Sequence, residues 1–211
     1  MYKVIDKQKL AATITLLKLQ APEIAKKVRP GQFVIIRLNE PGERIPLTVN
    51  DFDRAVGTIT IVFQEVGKTT KLLGRLSIGD SVTDLVGPLG KHTEIEKFGK
   101  VICIGGGVGT AVIYPVTRAL HQAGNEVTGI VGARTKDLLT FVKEMEAVTQ
   151  RLAPWPPANL ANILKHLDSL RAITPSVKAG YASLARSSSR SVSGTSRPSI
   201  DVSSNGPSAP S

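Results

Sequence analysis

The chain has 211 residues, of which 41% are hydrophobic, as is typical of a globular protein. It contains no apolar run near the ~20 residues of a membrane span, and its first residues lack the apolar core of a signal peptide. These features predict a cytoplasmic protein without membrane insertion. Its only cysteine, Cys103, excludes an internal disulfide and any metal site built from several cysteines. The net charge of +10 is divided equally between residues 1–150 and 151–211, without a basic stripe interleaved with aromatic residues, which makes nucleic-acid binding a minor hypothesis.

Short strands separated by turn residues fill the chain from Lys3 to Val86. Turn residues at 29–31, 40–43 and 78–80 alternate with runs rich in β-branched residues. The predicted strands are Ala12–Leu19, Gln32–Leu38, Gly57–Gln64 and Ser81–Val86, and one predicted helix, Lys68–Leu76, lies among them. Several short strands at this spacing indicate an antiparallel barrel or sandwich.

The period of the pattern changes after Gly99. Strand-like and helix-like runs alternate there, with strands predicted at Lys100–Gly105 and Glu126–Ala133 and helices at Gly109–Gly124 and Lys136–Val148. This alternation is typical of a parallel sheet, which binds ligands at the carboxyl ends of its strands. We therefore predict two domains, a β-barrel over residues 1–98 and an α/β parallel-sheet domain over residues 99–150.

Beyond Gln150 the character of the sequence changes again. Arg151–Pro157 would end any helix, Asn159–Leu170 fits one amphipathic helix, and from Ser183 onward the sequence is rich in serine. A serine-rich stretch of this kind cannot bury enough apolar surface to fold. We expect residues 151–211 to be a divergent, largely disordered Ser/Pro/Arg-rich tail without strands.

Three consecutive glycines, residues 105–107, and Gly109 lie between the first parallel strand and its helix. Glycines in this position let the backbone approach a pyrophosphate, whose charge is met by N–H groups at the helix N-terminus. The spacing departs from the full dinucleotide fingerprint, because Thr110 stands at its sixth position and offers a hydroxyl to a phosphate. A tight helix–strand contact without a ligand is the alternative. Beyond the next strand, Arg134 is either a phosphate ligand or an ordinary surface charge.

The segment Glu43–Val49 in the barrel half is a second candidate anion site. Arg44 and Thr48 flank Pro46 at a spacing of two residues, which aims a guanidinium and a hydroxyl in one direction. The alternative is a surface arginine beside a proline that ends an edge strand.

A third candidate lies in Gly67–Leu76. Thr69 or Thr70 would cap a helix whose first N–H groups, with Lys68, face outward, which is the form of an anion site. A plain helix cap is the alternative.

The order of these motifs is more specific than any one of them. RIPLT, GKTTKLL, VGPLGK, GGGVGTAVIYP and VGART follow one another over roughly the first 150 residues. This order resembles the ferredoxin-NADP reductase superfamily. Within it, the sequence is similar to the electron-transfer subunits related to the dihydroorotate dehydrogenase flavoprotein subunit, and to the small subunit of the sulfide dehydrogenase or NADH-dependent ferredoxin-NADP reductase pair.

The resemblance implies an antiparallel β-barrel FAD-binding domain followed by a truncated α/β parallel-sheet nucleotide-binding domain. It places Arg44 near the FAD phosphates, Thr48 at the isoalloxazine edge, and the helix start at the FAD pyrophosphate. The implied FAD-binding residues are Arg44, Pro46, Leu47, Thr48, Gly67, Thr69 and Thr70. The implied NAD(P)H-binding residues are Gly105, Gly106, Gly107, Gly109, Thr110, Gly132 and Arg134, and residues 87–90 match the turn between the domains.

The implied function is that of an FAD-dependent NAD(P)H oxidoreductase subunit. Hydride would pass from the nicotinamide to the flavin, and single electrons would continue to a larger catalytic or iron-sulfur flavoprotein subunit, with ferredoxin as a further candidate partner. No catalytic side chain is assigned, because the cofactors carry this chemistry. His92 and His121 fit surface or capping positions better than a base or a ligand, Cys103 fits a core position, and no metal site is expected.

The sequence departs from the family after the second helix. Family members continue with further strands and with a cysteine cluster for a [2Fe-2S] centre, whereas this chain has one cysteine in total. We therefore expect an incomplete sheet, and we hypothesise a frameshifted or truncated gene product. The alternative function is a non-catalytic remnant that keeps a flavin-binding barrel.

Overall fold

The computed structural model describes residues 1–40 and 42–154, which form a seven-stranded antiparallel barrel followed by a three-stranded parallel sheet. The predicted fold class is therefore confirmed. The expectations for the tail beyond Pro154 and for its origin lie outside the described residues. Among the helices of the described part, none is long and apolar enough to cross a membrane.

The barrel is nearly closed, because its two edge strands follow each other in the chain. Its strands are β1 (Tyr2–Ala11), β2 (Ile14–Gln20), β3 (Phe33–Arg37), β4 (Ile45–Asp53), β5 (Thr58–Gln64), β6 (Ser81–Val82) and β7 (Asp84–Leu89). They hydrogen-bond in the order β6-β1-β2-β5-β4-β3-β7, and only Thr83 separates the edge strands β6 and β7. Two short helices, α1 (Pro22–Ala25) and α2 (Lys68–Leu73), connect strands of the barrel.

Leucine and isoleucine side chains on alternate positions of the strands fill the barrel. Leu17 and Leu19 of β2 lie opposite Ile61 and Ile59 of β5, and all four are fully buried. Cross-strand apolar pairs of this kind stabilise a sheet, and their period of two residues places one face of each strand in the core. The β-branched residues of these runs are the signal from which the sequence pattern predicts β2 and β5.

The barrel contains two strands that the sequence pattern does not predict. In β1 only Val4 is buried, so its charged residues hide the alternation, and the strand is held by antiparallel pairing with β2. In β4, Pro46 lies within the strand. Two predicted bounds are also wrong: Ser81–Val86 is divided between β6 and β7, which belong to opposite edges of the barrel, and α2 ends at Leu73.

The parallel sheet consists of β8 (Lys100–Gly106), β9 (Glu126–Gly132) and β10 (Arg151–Pro154), in the order β10-β9-β8. Helix α3 (Gly109–Gln122) connects β8 to β9. Val101 and Cys103 of β8 pack with Leu120 of α3 and Val127 of β9 in a buried cluster. This packing confirms the predicted strand–helix–strand unit and the core position of Cys103.

Strand β10 corrects the expectation that no strand follows Gln150. Residues 151–154 pair in parallel with β9, with Arg151 opposite Thr128 and Leu152 opposite Gly129. The strand is short and begins with a charged residue, so its own composition gives no strand signal. Backbone pairing with β9 stabilises it.

The second predicted helix of this part, Lys136–Val148, is interrupted. A 3-10 turn at Lys136–Leu138 is followed by α4 (Val142–Ala147), and Phe141 between them has a left-handed backbone with φ of 60°. The Phe141 side chain is buried and lies 5.4 Å from the Tyr114 ring, measured between ring centroids. Burial of this aromatic ring offsets the strain of a left-handed residue, which reaches about 1–3 kcal/mol.

The same aromatic residue belongs to an apolar cluster that joins the barrel to the parallel sheet. Ile14 and Val62 of the barrel, Ala111 of α3 and Phe141 form its buried centre. Apolar burial of this kind is the main source of stability in folding and association. The sheet is therefore packed on the barrel through α3 and the segment before α4.

Candidate functional site

The segment that carries Arg44 and Thr48 leads into β4 at the surface of the barrel. Arg44 and Pro46 are exposed and Thr48 is half-buried, while Leu47 between them packs against the barrel core. In β4, Pro46 lies opposite Ile35 and Thr48 opposite Phe33 of β3. Because side chains alternate along a strand, residues 44, 46 and 48 share the outer face and Leu47 supports the strand from within.

Helix α2 begins at Lys68, and its N-cap is Gly67 and not Thr69 or Thr70 as predicted. Thr70 lies at the third helical position, where its Oγ1 accepts from the Gly67 N–H at 3.0 Å and lies 3.1 Å from the Gly67 carbonyl oxygen. A glycine cap leaves the helix start without a side chain above it: a Cβ on Gly67 would meet only the Thr70 hydroxyl, at 3.8 Å. The start of α2 therefore faces open space.

A hydrogen bond brings these two barrel segments together. Thr69 is buried, and its Oγ1 donates to Oε2 of Glu43 at 2.6 Å. Glu43 directly precedes Arg44, so the contact fixes the start of β4 against the start of α2. No local pattern in the sequence marks Glu43 as part of this contact.

The glycines after β8 divide into two groups by their surroundings. A Cβ on Gly105 would lie 2.7 Å from Cα of Thr110, so this glycine permits the close contact of strand and helix. Around Gly107 and Gly109 a Cβ would meet no atom within 4 Å, and Gly106 would meet only the Gly132 carbonyl, at 3.9 Å. Close packing of strand and helix therefore accounts for Gly105, while the backbone at Gly106, Gly107 and Gly109 lies open and phosphate binding there stays a prediction.

The loop is tied to the end of the neighbouring strand. Gly107 has φ of 54°, and its N–H donates to the Gly132 carbonyl at 2.7 Å. Gly106 lies opposite Gly132 in the parallel pairing of β8 and β9. Both loops therefore lie at the carboxyl ends of their strands, the edge at which such sheets bind ligands.

Two of the predicted nucleotide-binding side chains lie in contrasting surroundings. Thr110 is only 1% exposed, and its hydroxyl lies beneath the loop, 3.0 Å from the position that a Cβ on Gly105 would take. Arg134 is exposed, two residues beyond the end of β9. The structure thus brings the glycines together, with Thr110 supporting the loop from below.

These surroundings fit an anionic nucleotide. In the first turn of the 14-residue α3, the N–H groups of Thr110 and Ala111 donate to the Gly107 and Val108 carbonyls at 3.1 Å each. The Gly109 N–H lies beside the open space over Gly107 and Gly109. Three cations near the candidate segments, Arg44, Lys68 and Arg134, form no ion pair with another described residue. An anion at either segment would therefore meet backbone donors or cations without an ion pair, and at the start of α2 it would also meet the Glu43 carboxylate.

Two polar contacts link β4 directly to α3. The Asn50 side-chain amide donates to the Ala111 carbonyl at 2.6 Å, and Arg118 Nη2 lies 2.6 Å from Asp51 Oδ1. The hydrogen bond with Asp51 raises the pKa of Arg118 above its usual value. Because β4 begins at the Arg44–Thr48 segment and α3 begins at the glycine loop, these contacts connect the two candidate sites. No local pattern in the sequence marks Asn50 either.

The other residues considered in the sequence, two histidines and the cysteine, contact neighbouring side chains or lie in the core. Nε2 of His92 lies 3.2 Å from Nη1 of Arg29, and Nδ1 of His121, in the last turn of α3, lies 3.4 Å from the Gln150 side chain. Burial raises the pKa of the Cys103 thiol, which suits a core residue. Within the described residues, no group of three or more His, Cys, Asp or Glu side chains could hold a metal ion.

No protein-family model matches the chain, but comparison with known sequences gives clear relatives. The chain is 46% identical over 150 residues to the Thermotoga maritima homolog of the dihydroorotate dehydrogenase B (NAD(+)) electron transfer subunit, an alignment that covers 71% of this chain and 53% of the relative. It is 30% identical over 150 residues to the dihydroorotate dehydrogenase B (NAD(+)) electron transfer subunit of Geobacillus thermodenitrificans, covering 68% and 58%. The chain therefore spans little more than half the length of these curated relatives.

Solved structures give the same result for the fold. The NADH-dependent reduced ferredoxin-NADP oxidoreductase, described in connection with flavin-based electron bifurcation, is 45% identical with a TM-score of 0.70, covering 73% of this chain and 56% of that chain. The cytochrome b5 reductase domain of Ulva prolifera nitrate reductase is 19% identical with a TM-score of 0.60, covering 75% of each chain. At this lower identity the likeness shows the fold alone.

Proposed function

On the premise that the chain belongs to the ferredoxin-NADP reductase superfamily and is homologous to dihydroorotate dehydrogenase B electron transfer subunits, we propose that it is an electron-transfer flavoprotein subunit oxidising NAD(P)H. FAD would bind to the barrel and NAD(P)H to the carboxyl edge of the parallel sheet. Bound FAD would accept hydride from the nicotinamide and release single electrons. The residues of this chain bind and orient the two cofactors.

The FAD site of this proposal is the outer face of the barrel at the start of β4 and α2. The exposed guanidinium of Arg44 would meet phosphate, and the half-buried Thr48 would face the isoalloxazine ring. Pro46 and Leu47 would hold in place the part of β4 that carries Thr48, because Leu47 packs against the barrel core. Gly67, Thr69 and Thr70 would hold the pyrophosphate through the helix start, where the open space over Gly67 leaves room for it.

The NAD(P)H site of this proposal is the loop between β8 and α3. Gly106, Gly107 and Gly109 leave the space that a pyrophosphate needs, and Gly105 and Thr110 hold the loop against the helix. Gly132 anchors the loop by accepting from Gly107, and Arg134 would neutralise phosphate charge.

The observation that carries the proposal is the direct link between the two sites. The strand that begins with the flavin motif continues into Asn50 and Asp51, which contact the helix that begins at the glycine loop. Hydride transfer between two cofactors requires both to be held in one fixed geometry.

The electrons would leave this chain for a partner. Its single cysteine cannot hold a [2Fe-2S] cluster, for which family members use a cysteine cluster. The proposed acceptor is a larger catalytic or iron-sulfur flavoprotein subunit, or ferredoxin. A boundary between the two cofactor domains near residue 98 remains part of this proposal.

The test is purification of the full chain and measurement of its bound flavin. We expect a yellow protein that releases FAD on denaturation and whose flavin absorbance is bleached by NADH or NADPH under anaerobic conditions. A yellow protein that neither nucleotide bleaches would instead support a flavin-binding remnant. A colourless protein that does not take up added FAD would contradict both interpretations.

A further inference from the structure

Asn50 occupies an irregular position in β4. The pairing of β4 with β5 shifts register between Val49, opposite Ile61, and Asp51, opposite Thr60, so Asn50 is the extra residue of a bulge. A bulge re-aims side chains that a regular strand would send to opposite faces. It explains how two consecutive residues, Asn50 and Asp51, both reach α3.

The partner of Asn50 is a carbonyl that its own helix cannot satisfy. Pro115 lies inside α3, and proline has no N–H to donate to the carbonyl four residues earlier, which is that of Ala111. The Asn50 Nδ2 donates to this oxygen at 2.6 Å. Since a carbonyl oxygen only accepts, the amide nitrogen and not the amide oxygen of Asn50 must face it.

Burial makes this replacement bond significant. Asn50 is 3% exposed and Ala111 is fully buried, so water has little access to the carbonyl. A buried carbonyl without a donor destabilises a fold more than the bond itself stabilises it. Asn50 and Pro115 therefore depend on each other, because the proline frees the carbonyl that the asparagine satisfies.

We propose that Asn50 is a positioning residue for hydride transfer, holding the first turn of α3, and with it the glycine loop, against the strand that carries the flavin motif. This inference rests on the proposed function. It follows from the placement of the bond, since Ala111 lies two residues beyond Gly109 and Asn50 lies two residues beyond Thr48. Displacement of that turn would change the distance between the two cofactors without altering the residues that contact either one.

The neighbouring ion pair between Arg118 and Asp51 attaches α3 to β4 at a second position. Arg118 lies two helical turns beyond Ala111 and contacts Asp51 at 2.6 Å. Two contacts along one helix face oppose rotation of α3 on the barrel. The pair is partly exposed, with side-chain exposures of 26% for Arg118 and 42% for Asp51, so salt and solvent weaken it and the buried Asn50 bond is the firmer of the two.

A thermodynamic cycle on the full chain tests the dependence of Asn50 on Pro115. Asn50→Ala should lower the Tm by about 3–8 °C, because it leaves the Ala111 carbonyl without a donor. In a Pro115→Ala background, the backbone N–H of residue 115 can serve that carbonyl, so the same Asn50 substitution should lower the Tm by less than half as much. Equal Tm losses in both backgrounds would overturn the proposed replacement of one bond by the other.

Kinetics on the flavin-loaded chain test the positioning role. Asn50→Ala should keep its bound FAD and reduce it roughly ten- to a hundredfold more slowly at saturating NAD(P)H, while the Asn50→Ala, Pro115→Ala double variant recovers most of the rate. Reduction of Asn50→Ala at the unaltered rate would overturn the role. If Asn50→Ala does not fold, the double variant and Asn50→Asp, which keeps the size but cannot donate when ionised, supply the same comparison.

The matched control is Asn125, a buried asparagine at the other end of α3. Its Nδ2 donates to the carbonyls of Leu120 and Glu96 at 2.8 Å each. Asn125→Ala should also lower the Tm, but it should not slow flavin reduction, and Pro115→Ala should not rescue it. Slow reduction in both asparagine variants would assign the rate loss to general destabilisation and overturn the proposal. A wild-type chain without flavin would refute the proposed function and with it the role of Asn50 in hydride transfer, whereas the Tm cycle would still test the dependence of Asn50 on Pro115.

Discussion

Thr69 donates a hydrogen bond to Glu43 across the start of α2, with 2.6 Å between the hydroxyl and carboxylate oxygens. The Glu43 carboxylate thus already accepts the hydrogen bond of the Thr69 hydroxyl, which we propose as a ligand of the FAD pyrophosphate. The same negative charge would oppose an incoming phosphate. Glu43 therefore stands where it would weaken flavin binding.

We expect Glu43→Gln to strengthen FAD binding. Removing one negative charge about 4 Å from a phosphate in water changes the binding free energy by about 1 kcal/mol, so the Kd should fall about threefold to tenfold. Titration of the flavin-free protein with FAD, followed by flavin fluorescence, measures it. Glu40→Gln is the control, because Glu40 is exposed and pairs with Arg37; weaker binding by Glu43→Gln would mean that Glu43 supports the site.

Gly67→Val should weaken the binding of FAD, and Gly109→Val should weaken the binding of NAD(P)H. A side chain at either position meets little protein, so both variants should fold, with stability changes of about 1 kcal/mol or less. The Gly67 variant should lose FAD, and the Gly109 variant should keep FAD while its KM for NAD(P)H rises at least about tenfold, a loss of about 1.4 kcal/mol of binding. Flavin content and reduction kinetics measure both, and each variant controls for the other. Loss of FAD from the Gly109 variant would contradict the assignment.

Glu65 should give the barrel a pH-dependent stability. Hydrogen bonds from Lys9 and Thr15, each 2.5 Å from the Glu65 Oε1, hold the pKa of Glu65 below the ordinary glutamate value of 4.5. Because the folded pKa is lowered, the contribution is complete well above pH 4.5 and disappears as the pH falls toward the folded pKa. Glu65→Gln should therefore destabilise the protein at pH 7 by about 1 kcal/mol, and the difference from wild type should shrink in acid.

Urea unfolding between pH 3 and pH 8 measures this effect. Glu94→Gln is the control, since Glu94 forms an exposed ion pair with Lys91 and the pKa of Glu94 is also lowered, yet its loss should not measurably change the unfolding midpoint. A constant difference between Glu65→Gln and wild type over the whole pH range would show that ionisation of Glu65 has no part in it.

Cys103 should be inert in the folded protein. Its side chain is buried between β8 and α3, and burial raises the pKa of the thiol, so the reactive thiolate is disfavoured. A thiol reagent should therefore react at least about a hundredfold more slowly with the native chain than with the urea-unfolded chain. Since the sequence contains no other cysteine, absorbance of the released product reports this site alone. Rapid native labelling at neutral pH would show that α3 opens readily from the sheet.

The sequence predicts the elements whose own residues hold them together. The β-branched runs of β2 and β5 and the alternation of β8, α3 and β9 carry enough local signal. By contrast, β10 is stabilised by backbone pairing with β9, and the left-handed Phe141 by contact with Tyr114. Neither depends on a feature visible in the neighbouring residues.

The candidate site also contains some residues that local sequence identifies and others that depend on distant partners. The glycines at 105–109 are recognisable because a turn from strand to helix needs them locally. Glu43 and Asn50 are not, because their partners Thr69 and Ala111 lie 26 and 61 residues away in the chain. The proline was the one local sign, since Pro115 within a predicted helix implies an unpaired carbonyl at Ala111, but it does not indicate which residue supplies the donor.

Because Pro115 has no N–H, the parallel-sheet half of this protein is not freely exchangeable between barrels. A helix normally satisfies its interior carbonyls by itself, and a unit built from such helices can be recombined with other partners. Here the barrel supplies one donor to α3, so grafting the parallel-sheet half onto a barrel that buries the same face of α3 would leave the Ala111 carbonyl without a donor. A chimera that joins this sheet to another barrel must bring an amide at the position of Asn50, or replace the proline.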